Sequence, residues 1–226
     1  MTTTISRTER PAQREGSGKP GRDCALCPRL KGFREEWRRR EPEWFNAPVA
    51  SFGPRSARLL IVGLAPGLRG ANRTGRPFTG DFAGDLLYNT LKHFGFARGD
   101  YLASPQDGLT LIDARITNAV RCAPPENKPT PAEIETCRAF LKATIAEMQN
   151  LRAIVTLGRI SHESTVVALG QRRSAAPFGH GRWHDVGRLR VFVSYHCSRY
   201  NTSTGVLTPD MFRDVFAAAR AYLGEE

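Results

Sequence analysis

Four short apolar runs, partly β-branched, set the strongest limit on how this chain can fold. They are Ala57–Val62, part of Leu109–Val120, Arg152–Leu157 and Leu189–Tyr195. Strands apolar on both faces belong inside a parallel sheet with helices on each side. Helical patterns alternate with them. Asp81–Phe94 carries Leu86, Leu87, Leu91 and Phe94. Thr130-Pro131-Ala132-Glu133 is a capping box with proline at the first helical position, so a helix starts there and runs to about Gln149. Arg159–Leu169 is a third helix, ended by Gly170. Pro209–Leu223, capped by Thr208, puts Met211, Phe212, Val215, Phe216, Ala219 and Leu223 on one stripe. Strand alternating with helix predicts a three-layer α/β domain. Ligands in such sheets bind beyond the carboxyl ends of the strands, where Asn118 and His196 fall.

The glycine-rich segment Ile61–Asp81, IVGLAPGLRGANRTGRPFTGD, follows the first run and lies at such an end. It is not a phosphate-binding Walker loop, which needs a Lys–Ser/Thr pair. Gly63, Gly67 and Gly70 do not match G-x-G-x-x-G, so it is not a dinucleotide fingerprint. Gly63 and Gly67 let the backbone come close to a ligand. Phe78 offers a flat face. Asp81 sits where a helix begins, and the helix dipole favours its charge.

Lys plus Arg total 33 against 22 Asp plus Glu, a formal charge of +11. That excess favours a polyanionic partner, nucleic acid or an acidic membrane face. A hydrophobic content of 40% excludes a disordered chain. No apolar run approaches the roughly 18 residues of a membrane span, and the N-terminus has no secretory h-region. The chain therefore reads as a cytoplasmic protein. Residues 1–22 read as a solvated basic tail and 23–226 as one domain.

Cys24 and Cys27 form C-x2-C, and Cys122 and Cys137 follow far along the chain. In a reduced compartment four spaced cysteines point to a metal site or an iron–sulfur cluster. A tetrahedral zinc site is the rival, but zinc usually pairs two short C-x2-C knuckles, and the second pair here has a long spacer. The spacing therefore favours [4Fe–4S] over zinc. Cys197 stands apart and is read as a packed or solvent-facing thiol.

The stretches GLAPG, NRTGRPFTGD, ITNAVRCAPPENKPTP and HCSRYNTSTGVLT, in this order, resemble the motifs of the iron–sulfur uracil-DNA glycosylases, most closely the type 5 branch. The resemblance covers Cys24 to about Pro209, and the four cysteines fall where that family places its cluster ligands. It implies a three-layer α/β/α fold with a central four-stranded parallel sheet. Type 4 relatives carry Glu where this chain has Leu64, which sorts the chain into the type 5 branch.

The implied substrate is DNA containing uracil, with a roomier pocket for deaminated purines such as hypoxanthine and xanthine. The implied enzyme is a monofunctional hydrolase, since GLAPG, NRTGRPFTGD and HCSRYNTSTGVLT hold no lysine to form a Schiff base, and it acts as a monomer. Such an enzyme must flip its base out of the duplex. Phe78 would stack on the base, Asn118 would read its edge, His196 would donate to its carbonyl, and Asp81 would stabilise the sugar cation or orient water. Gly63, Leu64 and Ala65 complete the expected substrate contacts, and Asn201 is expected either to hold its loop or to meet the substrate. Arg69, Arg73, Arg76 and Ser198 are expected at phosphates, and Arg199 and Tyr200 as a wedge in the duplex. The alternative is a non-catalytic iron–sulfur protein that binds uracil-containing DNA. Relatives of that kind carry an additional basic insertion after the first motif, which this chain lacks.

Overall fold

The computed structural model describes residues 18–224. Most of the expected tail, residues 1–17, thus lies outside the described residues. Pro20 already lines a cavity with Cys24 and Cys27, so packing begins slightly before position 23.

In chain order the elements are α1 (Pro28–Arg40), β1 (Leu59–Gly63), α2 (Ala71–Thr74), α3 (Phe82–His93), β2 (Ala97–Arg98), β3 (Thr110–Leu111), β4 (Ala114–Asn118), α4 (Pro131–Ala146), β5 (Ala153–Leu157), α5 (Arg159–Ala168), β6 (Trp183–Val186), β7 (Leu189–Ser194), α6 (Arg199–Ser203) and α7 (Pro209–Gly224). The main sheet has the order β4-β1-β5-β7-β6, and β2 and β3 form a small antiparallel ribbon. The predicted runs supply four parallel strands. The sheet has a fifth, β6, which pairs antiparallel with β7. The four expected parallel strands are thus present, and β6 adds an antiparallel edge to them. Gly187, at φ 61, makes the tight turn of that hairpin, the backbone hand such turns favour. Half-exposed β6 lacks the apolar run that marks a buried strand.

The two faces of β1 explain the layering. Leu59 and Ile61 pack with Leu87 and Leu91 of α3 and Phe212 and Phe216 of α7. Leu60 and Val62 pack with Leu141 of α4, Met148 and Leu151 on the opposite side. A third cluster joins Leu30 of α1 to Val120 and Cys137. Helix α1 was not legible as a helix, because PRLKGFREEWRRR shows no broad apolar stripe and buries only Leu30 and Arg34. Arg29 fastens it to α4 through two contacts with Glu133, at 2.8 and 2.7 Å. No described helix is long and apolar enough to cross a membrane.

The parallel register decides where function can lie. Gly63 is level with Asn118, and Leu157 with Ser194. The chain leaves β1, β4, β5 and β7 along one edge, and β4 and β5 flank β1 on opposite sides. That reversal of strand order creates the crevice that open α/β sheets use for ligands.

The capping box of α4 is formed in full. The Glu133 amide donates to Thr130 Oγ1 at 3.3 Å, and the Thr130 amide donates to Glu133 Oε2 at 2.8 Å. Thr130→Ala is expected to lower unfolding free energy by about 1 kcal/mol. Denaturant titration should show a lower midpoint with an unchanged slope.

Candidate active site

The crevice holds one large opening of about 640 Å³, lined among others by Leu64, Ala65, Phe78, Asp81, Asn118 and His196. Four segments meet there: the loop after β1, the start of α3, the end of β4 and the segment after β7. The glycine at position 63 is required by this meeting. A Cβ there would lie 2.5 Å from Asn118 Oδ1 and 2.6 Å from the Phe78 ring. Gly70 is equally constrained, since a Cβ would collide with the Asp81 carboxylate.

Phe78 takes a left-handed backbone, φ 52, which costs a non-glycine residue about 1–3 kcal/mol. Its neighbours hold it there. The Tyr101 hydroxyl donates to the Phe78 carbonyl at 3.1 Å and accepts from the Gly80 amide at 3.4 Å. Burial pushes that hydroxyl's pKa up to about 12, so it remains a donor. The Tyr88 hydroxyl donates to the Pro77 carbonyl at 2.6 Å. Arg76 donates to Thr79 Oγ1 at 2.7 Å and to both oxygens of Asp107 at 2.8 and 2.7 Å. Its guanidinium lies 5.3 to 5.8 Å from the ring centres of Phe52, Tyr88 and Tyr101.

This overturns the expectation that Arg76 meets DNA phosphate. Its side chain is 6% exposed and its donors are spent on the protein. Hydrogen bonds from Arg76 hold the Asp107 carboxyl far below the usual range, against the opposing pull of burial.

Asn118 is 3% exposed at the end of β4, and its Oδ1 has no hydrogen-bond partner among the described residues. Asp81 occupies the N-cap position of α3 but makes no side-chain cap bond. Its Oδ1 is also buried without a partner, and burial pushes its pKa above the usual carboxylate range. Two unpartnered acceptors therefore border one opening, ready for donors from a ligand.

His196 follows β7, with its ring centre 6.0 Å from that of Phe78 and the planes 27° apart. Burial pulls its pKa down to about 4. At neutral pH it is an uncharged imidazole, able to donate one ring N–H. Asn201, expected to hold its loop or to meet the substrate, donates from Nδ2 to the His196 carbonyl at 2.8 Å. It lines a neighbouring groove rather than this opening, because the α6 turn points it back at the chain.

Arg69 and Arg73 are exposed, as are Arg199 and Tyr200, the last at 74%. Arg69 and Arg199 line the opening, and the Arg199 guanidinium sits 5.3 Å from the centre of the Phe82 ring. Ser198 also lines it, while its hydroxyl caps α6 by accepting from the Asn201 amide at 3.3 Å. Asn127, Leu68 and Phe82 border the opening too and were missed. Asn127 offered one signal: it lies between prolines in PPENKP, a turn, where Glu126 and Asn127 both take positive φ.

Away from this opening, Cys24, Cys27, Cys122 and Cys137 line a single small cavity and are free thiols. No three described His, Cys, Asp or Glu side chains close on one point as a single-ion site does. A polynuclear cluster spreads its ligands more widely, and four thiols around one cavity fit it. Arg34 Nη1 donates to Cys122 Sγ at 3.5 Å, and the Arg121 amide to Cys137 Sγ at 3.3 Å. Arg34 is 4% exposed, with an unpartnered Nε and no carboxylate partner among the described residues. A buried cation beside these sulfurs suits an anionic thiolate group. Cys197 is fully buried against the Ala83 carbonyl, outside this set.

A family profile described as "Uracil DNA glycosylase superfamily" matches residues 50–220. A "Type-5 uracil-DNA glycosylase" of Thermus thermophilus is 45% identical, covering 89% of this chain and 94% of its own. A protein of the same description from Pyrobaculum aerophilum is 38% identical over 89% of this chain and 90% of its own. A "Type-4 uracil-DNA glycosylase" of Pyrobaculum aerophilum is 36% identical over 77% of this chain and 78% of its own.

The depressed His196 pKa gives a direct test. In an NMR titration its ring resonances should stay in the neutral position from pH 8 to pH 5 and move only near pH 4. A midpoint near 6.5 would mean that the ring is solvated.

Proposed function

This chain belongs to the uracil DNA glycosylase superfamily, and from that premise we propose that it flips uracil out of DNA and hydrolyses the N-glycosidic bond. One observation carries the reading. Phe78, Asn118, Asp81 and His196 border one opening at the strand ends, and two of them present unpartnered acceptors there.

Chemistry assigns the roles. Uracil stacks on Phe78. Asn118 Oδ1 accepts from N3–H, and its amide nitrogen donates to O4. Cytosine, with a bare N3 and an amine at position 4, presents the opposite pattern and is rejected. The bond between C1′ and N1 then breaks, and its electron pair leaves with the base. His196 donates a hydrogen bond to O2 as negative charge gathers there. Because the imidazole is neutral, it stabilises the uracil anion without first protonating it. The Asp81 carboxylate faces the cationic sugar and takes a proton from the water that attacks C1′. The products are free uracil and an abasic site.

The opening's volume of about 640 Å³ and the uncharged Leu64 and Ala65 on its wall support a wider diet that includes hypoxanthine and xanthine. Arg69, Arg73 and Ser198 meet strand phosphates, and Arg199 and Tyr200 enter the gap left by the base. One chain supplies every residue of the opening, so a monomer suffices. Cys24, Cys27, Cys122 and Cys137 hold a [4Fe–4S] cluster, supported by their convergence on one cavity and the buried Arg34. When bound, the cluster supplies metal–thiolate bonds that tie α1 to α4 and the end of β4. Such a group is kept in the reducing cytoplasm.

Incubating the protein with uracil-containing oligonucleotides, followed by alkali, should break the strand at the former uracil. Strands left intact would sink the reading. Asp81→Ala and His196→Ala should each lower the single-turnover rate by about 10²–10³. Their affinity for uracil-containing DNA should change far less, since both interactions grow as charge separates.

Purified protein should be brown and contain iron and inorganic sulfide. Alanine at any of the four cysteines should reduce soluble yield, because cluster binding contributes folding energy. A colourless protein with one zinc ion would replace the cluster with a mononuclear site.

A further inference from the structure

A second groove, of about 480 Å³, opens beside the first and is lined by Trp37, Glu41, Trp44, Arg69, Arg73 and Gly80. Arg69 lines both openings, so the two are neighbours. Trp37, near the end of α1, and Trp44, in the loop that follows, stack almost parallel, with ring centres 5.4 Å apart and planes at 6°. The Arg40 guanidinium lies 5.6 Å from the centre of Trp37 on its own account. Among the described residues no other ring and no guanidinium lies over Trp44. Both tryptophans are only half-buried. Arg69 and Arg73 are exposed and have no carboxylate partner among the described residues.

We propose that this groove is a stacking subsite for an unpaired base flanking the flipped nucleotide on the same strand, used when that strand is single-stranded. The inference rests on the glycosylase reading. Flat aromatic faces beside arginines are the usual platform for single-stranded nucleic acid, because every base has a π-face. The base adds itself to the Trp37–Trp44 stack, and Arg69 and Arg73 take the phosphates that join it to the flipped nucleotide. Glu41, the one acid in the lining, accepts from an exocyclic amine, so cytosine or adenine is preferred over thymine. In a paired duplex the flanking base stays in its own stack and does not reach Trp44.

The test uses the full chain and oligonucleotides carrying 2′-fluoro-deoxyuridine, whose electron-withdrawing fluorine resists glycosidic cleavage. Trp44→Ala should weaken single-strand binding by about tenfold or more, within the range of base–aromatic stacking, and Trp44→Phe should recover most of it. The loss on a fully paired duplex should be smaller. Replacing the flanking bases one at a time with an abasic analogue should reveal one side at which the wild-type protein loses a similar factor. On that strand Trp44→Ala should add no further loss, as expected when two changes remove one contact.

The inference is overturned if abasic sites on both sides leave wild-type affinity within about twofold, well below one stacked base. It is also overturned if Trp44→Ala weakens single strand and duplex equally. Should Trp44→Ala fail to fold, the abasic series with wild-type protein decides alone. Uracil excision from duplex DNA by the wild-type protein tests the parent reading separately.

Discussion

The ion pair between Arg76 and Asp107 is the interaction on which the site depends. Both side chains are almost fully enclosed, 6% and 0% exposed, and a lone buried charge in that place would be costly. The bidentate geometry, the backbone amides of Leu102 and Leu109 on Asp107, and three surrounding aromatic rings satisfy the pair on every side. Removing one partner of such a pair typically costs about 3–5 kcal/mol. The pair also bridges two loops distant in sequence, and between them lie Tyr88 and Tyr101, which grip the carbonyls of Pro77 and Phe78. The strained Phe78 backbone thus rests on a charged pair that touches neither base nor sugar. Preorganisation of this kind lets a ring meet its ligand without ordering a loop at that moment.

The sheet does the rest of the positioning. Parallel strands bring their carboxyl ends to one edge, so residues far apart in sequence become neighbours without long connections. Asn118 and Gly63 share a register position, and His196 is carried in by β7. The glycine at 63 follows from that register, because an amide and a phenyl ring occupy the space where its side chain would stand.

Legibility tracked how local each signal was. The buried strands, the α4 capping box and the α7 stripe were readable because their periods and caps are written within a few residues. That Phe78, Asn118, Asp81 and His196 would border one opening was readable from motif order and strand ends. Arg76 was misread because nothing near it in sequence announces Asp107, 31 residues later. Of the two roles open to Asn201, the structure shows the loop-holding one, a backbone bond made by a turn. Helix α1 escaped because its anchors, Arg29 to Glu133 and Leu30 to Cys137, lie in the second half of the chain. Strand β6 escaped because an edge strand needs no apolar face.

The sheet order also bears on how the chain is made. Strand β1 is the first main-sheet strand to be synthesised, yet it lies between β4 and β5 and is buried on both faces. Its second neighbour starts at Ala153, more than ninety positions after Leu59. At about 5–20 residues per second of translation, this strand waits on the order of 5–20 s before its second edge can be covered. The nascent chain therefore exposes an unpaired apolar strand edge during its own synthesis. Slower translation between Asn118 and Ala153 would lengthen the interval in which the strand can pair with the wrong edge.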